Sequence, residues 1–95
     1  MKIINYGKQY IDNEDIRYVG KALKSEKITQ GKFVSLFEKK LSKYMGAKYC
    51  TSVSNGTSAL FLSLKALNLK KKDTVITSPI TFASTVTSVL MNNYK

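Results

Sequence analysis

The stretch from Lys48 to Leu67 constrains the fold most. Lys48-Tyr49-Cys50-Thr51-Ser52-Val53 is rich in aromatic and β-branched residues and breaks at Ser54-Asn55-Gly56. Such composition suits a strand, and Asn-Gly is a strong hairpin signal. A hairpin, however, needs a second strand. Ala59, Leu60, Leu62, Leu64, Ala66 and Leu67 follow instead, and these are helix formers. The turn therefore reads as a strand-to-helix junction. The helix is apolar nearly all round, so it is expected to be buried on more than one side.

The flanking sequence repeats this alternation. Residues 1–11 read as an irregular lead-in. Asp12 or Asn13 offers an N-cap, Glu14 and Asp15 suit a first turn, and Ile16, Val19 and Leu23 recur at helical spacing, which predicts a helix over about 13–25. A second amphipathic helix is expected over 32–45, with Phe33, Leu36, Phe37, Leu41, Tyr44 and Met45 on one face and Gly46 as its terminator. Val75 and Ile76 form a short apolar run ending at Ser78-Pro79, after which Thr81 can cap a last helix carrying Ala83, Val86, Val89 and Leu90. The order α, α, β, α, β, α indicates an α/β domain with a largely parallel sheet. Two strands cannot complete a sheet that is normally covered on both faces, so the pattern reads as unfinished.

Composition narrows the chemistry. There are 95 residues, 16 basic and 6 acidic, giving a formal charge of +10. That balance raises nucleic acid or an anionic membrane as a partner. All the cations but Arg17 are lysines, and they are scattered apart from Lys70-Lys71-Lys72. Arginine is the residue suited to bidentate phosphate and guanine contacts, so no nucleic-acid partner is expected. With no His and a single Cys50, a disulfide framework, a protein-built zinc site and a His base are excluded within the chain. Cys50 reads as a buried free thiol. No signal peptide is evident at the N-terminus, and no apolar run approaches the ~20 residues of a membrane span. No membrane association and a cytoplasmic location are expected.

Two turns carry candidate chemistry. Helix N-termini expose unpaired N–H groups and partial positive charge, and a Gly lets an anion approach the backbone. Gly56, Thr57 and Ser58 could thus cradle an anion, with two hydroxyls adding donors; a plain capped turn explains the same residues. The pattern is neither the dinucleotide fingerprint nor the P-loop. The second turn, Thr77-Ser78-Pro79-Ile80-Thr81-Phe82, offers the flat face of Phe82, whose alternative is a place in the core. A phosphate cradle beside an aromatic plate suits a phosphorylated planar heterocycle.

Taken along the whole chain, these runs resemble the DegT/StrS family of sugar aminotransferases. The resemblance rests on the opening around Tyr6, Ile28-Thr29-Gln30-Gly31 followed by Phe37-Glu38, Ser54 to Leu60, and Thr77 to Phe82. Within the family, the Thr-Gln-Gly-Lys and Thr-Ser-Pro-x-Thr-Phe runs look most like its pseudaminic-acid branch. One departure is Phe61, where many members carry His. The resemblance implies the N-terminal portion of the large domain of the aspartate-aminotransferase-like (fold type I) transferases, mainly parallel sheet and incomplete here. It implies an arm and first helix over 1–31, and the start of the cofactor-binding domain over 32–95.

It also implies roles. Gly56, Thr57 and Ser58 match the turn that holds the phosphate of pyridoxal 5′-phosphate (PLP), and Phe82 matches the residue that stacks on its ring. Tyr6, Thr29, Gln30 and Gly31 match segments that approach a nucleotide-sugar substrate. An amino-acid donor and a homodimer are implied as well. The family's cofactor-bearing lysine and the acidic partner of the ring nitrogen fall beyond residue 95, so no catalytic residue is assigned here and the chain is not expected to transaminate alone. Lys65 and Lys70 to Lys72 read as solvated surface. Two alternatives stand beside this reading: a non-catalytic relative that binds PLP or sugar, and a small basic nucleic-acid-binding module.

Overall fold

The structure, a computed structural model, describes residues 7–95. Four helices account for its regular structure: α1 (Asn13–Leu23), α2 (Lys32–Met45), α3 (Gly56–Ala66) and α4 (Ala83–Met91). The chain forms two compact units, one running to Cys50 and the other spanning Thr51–Lys95.

In the first unit, helix ends follow from named side chains. Asp12 Oδ1 accepts from the N–H groups of Glu14 (2.8 Å) and Asp15 (3.0 Å), and Asp15 Oδ2 accepts from the Asp12 N–H, which completes a capping box. Gly46 stops α2 in the left-handed region (φ 65°), with its N–H on the Lys43 carbonyl and the Ala47 N–H on Ser42. Lys40 of α2 lies 5.8 Å from the Tyr18 ring of α1, which Arg17 and Lys21 also approach. No residue of this unit is fully buried among those described.

The second unit is organised by α3 against α4. Ser84, Ser88 and Val89 are its buried residues, and small side chains at 84 and 88 let the helices approach closely. Asn92 straps the pair: its Nδ2 donates to the Ser88 carbonyl on α4 (2.8 Å) and to the Phe61 carbonyl on α3 (3.1 Å). Asn93 (φ 59°) closes α4, its N–H bonding Leu90 and the Tyr94 N–H bonding Val89. Asn68 (φ 49°) plays the same part after α3. Asparagine tolerates this region because its side chain can hydrogen-bond locally.

Several expectations are corrected. No β-strand is present among the described residues, so the mainly parallel sheet is not seen; Lys48 to Val53 and Val75-Ile76 run without a ladder. A strand requires a partner to take its N–H and C=O groups. One fragment of pairing exists. The Lys95 N–H bonds Asp73 (3.4 Å) and its carbonyl receives the Val75 N–H (2.7 Å), the flanking pattern of a parallel ladder. Helix α3 is not buried on several sides: Leu60 and Leu62 are exposed, and within its unit it packs against α4. Thr81 does not cap α4. Phe82 is the N-cap residue and gives no side-chain bond, while Thr81 Oγ1 pairs with Thr85 Oγ1 at 2.9 Å. Cys50 is half-buried rather than buried.

The strap sets a measurable cost. Asn92→Ala removes both bonds and is expected to lower stability by about 1–3 kcal/mol, read as a lower midpoint in denaturant. Ser88 Oγ is buried with no hydrogen-bond partner. Ser88→Ala is therefore expected to be neutral or to raise the midpoint by up to about 1 kcal/mol.

Candidate functional site

The turn at the start of α3 is built from its cap outward. Asn55 (φ −164°, ψ 168°) is extended, so its side chain folds over the helix end and Oδ1 accepts from the Ser58 N–H at 2.8 Å. Its Nδ2 donates to Ser54 Oγ at 3.1 Å. The Ala59 N–H bonds the Asn55 carbonyl, beginning the helical series. That leaves the Gly56 and Thr57 N–H groups without acceptors among the described residues, together with the hydroxyls of Thr57 and Ser58. A Cβ at Gly56 would meet nothing within 4 Å, so the approach to these donors is open. Four donors at the positive end of a helix dipole can bind a phosphate. The two readings of the turn are thus combined: Asn55 caps one amide, and the cap spares the others.

Phe82 lies in the same unit, at the N-cap of α4, and is 76% exposed. Its ring is not spent on the core. Thr29, Gln30 and Gly31 lie in the other unit, in the turn between α1 and α2. Gln30 takes the left-handed region (φ 51°) and Gly31 is the N-cap residue of α2. Ser25 Oγ donates to the Ala22 carbonyl (2.6 Å) and lies 3.0 Å from that of Lys27, pinning the start of this turn. Gln30 and Gly31 line a shallow concavity with Ser25, Glu26, Lys27 and Lys32. A Cβ on Gly31 would collide with the Lys27 carbonyl oxygen. Tyr6 lies outside the described residues.

One feature is missed by the sequence reading. Arg17, Lys21, Lys24 and Lys32 line a second concavity, and Glu14, 3.2 Å from Arg17, is the one carboxylate paired with any of them among the described residues. The signal was present, because positions 17, 21 and 24 fall on one helix face. The described residues contain no group of His, Cys, Asp and Glu able to hold a metal. No described helix is long and apolar enough to cross a membrane.

Residues 9–95 match the DegT/DnrJ/EryC1/StrS aminotransferase family. The chain belongs to that family. It is 43% identical over 93 residues to a UDP-4-amino-4,6-dideoxy-N-acetyl-beta-L-altrosamine transaminase of Campylobacter jejuni, covering 98% of this chain and 24% of that protein. It is 40% identical over 85 residues to the spore coat polysaccharide biosynthesis protein SpsC of Bacillus subtilis, covering 90% and 22%. A putative pyridoxal phosphate-dependent aminotransferase, EpsN, also of Bacillus subtilis, is 30% identical over 82 residues, covering 85% and 21%. The chain spans about a quarter of the length of these relatives. No solved structure matches it.

Two substitutions probe the turns. Asn55→Ala removes the cap of α3 and is expected to cost about 1 kcal/mol, with helix signal lost in circular dichroism. Gly31→Ala forces the Lys27 carbonyl to move and is expected to cost about 1–3 kcal/mol, seen as a lower melting temperature.

Proposed function

We propose that the chain is part of a PLP-dependent aminotransferase that moves an amino group from an amino-acid donor, glutamate, to a keto carbon of a nucleotide-linked deoxy sugar in polysaccharide or glycan biosynthesis. The observation that carries this is the set of spare donors at the start of α3, in a chain belonging to a sugar-aminotransferase family. The residues fit a phosphate: two amides, two hydroxyls and no side chain in the way at Gly56. The names of the relatives support the cofactor and the substrate class, and the Campylobacter protein supports a UDP-linked amino sugar of the pseudaminic-acid kind.

In this reading Gly56, Thr57 and Ser58 hold the cofactor phosphate, and the Asn55 cap keeps the donors pointed at it. Phe82 offers an exposed ring face for stacking on the pyridine. Stacking on Phe82 would orient the ring, and the cradle would hold its phosphate. PLP, when bound, supplies the electron sink for the amino transfer. Thr29, Gln30 and Gly31, with Tyr6, are proposed to approach the nucleotide sugar. The domain division proposed is an arm and first helix over 1–31 and the start of the cofactor-binding domain over 32–95. A homodimer and a cytoplasmic location belong to the same proposal. The chain alone is proposed to be inactive.

Cofactor titration of the full-length protein, followed by absorbance, tests the cradle. Thr57→Ala and Ser58→Ala each remove a hydrogen bond to a charged group, about 1.5–3 kcal/mol, and are expected to weaken PLP binding by about 10-fold or more. Phe82→Ala is expected to shift the absorbance band and weaken binding, while Phe82→Tyr preserves both. Unchanged titrations in all three removals would sink the assignment.

A further inference from the structure

We propose that Asn55 is a site of spontaneous deamidation, in which the turn at the start of α3 converts itself to aspartate and isoaspartate. The reaction begins when the backbone nitrogen of Gly56 attacks the side-chain carbon Cγ of Asn55. A side chain on the following residue ordinarily obstructs that approach. Here the following residue is Gly, and the space a Cβ would fill is empty to 4 Å. The Gly56 N–H has no acceptor among the described residues, and residues 55 and 56 are both exposed, so hydroxide can reach its proton.

The turn also supplies the two other groups the step needs. Negative charge develops on Oδ1 as the new N–C bond forms, and the Ser58 N–H already donates to that oxygen at 2.8 Å. The departing nitrogen, Nδ2, sits 3.1 Å from Ser54 Oγ, a hydroxyl that can pass it a proton. The bond from Cγ to Nδ2 breaks, ammonia leaves with the proton given up by Gly56, and a five-membered succinimide remains. Water then opens that ring at either carbonyl, yielding aspartate or isoaspartate, with no oxidation or reduction. Closure requires the Asn55 ψ to leave 168°, a local rotation at the exposed start of α3.

The product changes what the turn can hold. Aspartate still caps α3 but places a carboxylate among the anion donors; isoaspartate adds a methylene to the backbone and displaces the cap. Loss of phosphate affinity in either product rests on the cradle reading above. The deamidation does not, and peptide mapping measures it without cofactor.

The experiment incubates the purified protein at neutral and alkaline pH and maps it with trypsin. The peptide Tyr49–Lys65 contains one asparagine, so any gain from replacing NH₂ by OH reports on Asn55. The expected result is a growing aspartate–isoaspartate doublet in this peptide, faster at alkaline pH and faster than conversion at Asn13 or Asn68. The doublet is lost in Asn55→Ser, which retains a capping residue, and forms roughly an order of magnitude more slowly in Gly56→Ala, where a methyl restores the obstruction. A rate no faster than at Asn68, a rate indifferent to Gly56→Ala, or conversion of the synthetic peptide while the folded protein stays intact would each overturn the proposal.

Discussion

Backbone groups at helix ends must find partners, and that requirement shapes this chain more than burial does. Val89 is the one buried apolar residue among those described, so apolar packing alone fixes little. Order comes instead from residues that answer helix termini: the side chains of Asp12 and Asp15 at α1 and of Asn55 at α3, and the left-handed backbones of Gly46, Asn68 and Asn93 after α2, α3 and α4. Asn92 belongs to the same economy, because it serves one carbonyl on each of two helices.

The cradle at α3 is a by-product of this arrangement. A helix leaves its first amides unpaired, and a cap with one acceptor oxygen cannot serve them all. Asn55 takes the Ser58 amide and leaves those of Gly56 and Thr57 to solvent or to a ligand. Capping and anion binding therefore coexist in a turn of five residues, and Gly56 keeps that turn uncrowded.

The helices were legible because their signals are local. Period 3.6, an Asp cap and a Gly terminator located α1 and α2 with little error, and the Asn-Gly break located α3. The asparagine terminators were passed over, since Asn68 and Asn93 lack the distinctiveness of Gly. Strands were not recovered, because a strand is defined by a partner and composition at 48–53 and 75–76 reveals only the readiness to pair. The cap of α4 was misplaced by one residue: Thr81 turned its hydroxyl to Thr85, a bond that residue preferences do not foresee. At the candidate site, the turn was readable from the sequence, whereas the exposure of the Phe82 ring, for which the sequence left a place in the core open, needed coordinates. The division of donors between cap and ligand, and the basic concavity at Arg17, Lys21, Lys24 and Lys32, needed coordinates.

The two bonds joining Lys95 to Asp73 and Val75 bear on the order of folding. Helix turns close over four residues and form within about a microsecond. The Lys95 contact spans about twenty residues of intervening chain, and its loop-closure entropy is offset only after α4 has docked. The second unit should thus acquire its helices first and its chain direction last, with the parallel contact acting as a late latch rather than a nucleus.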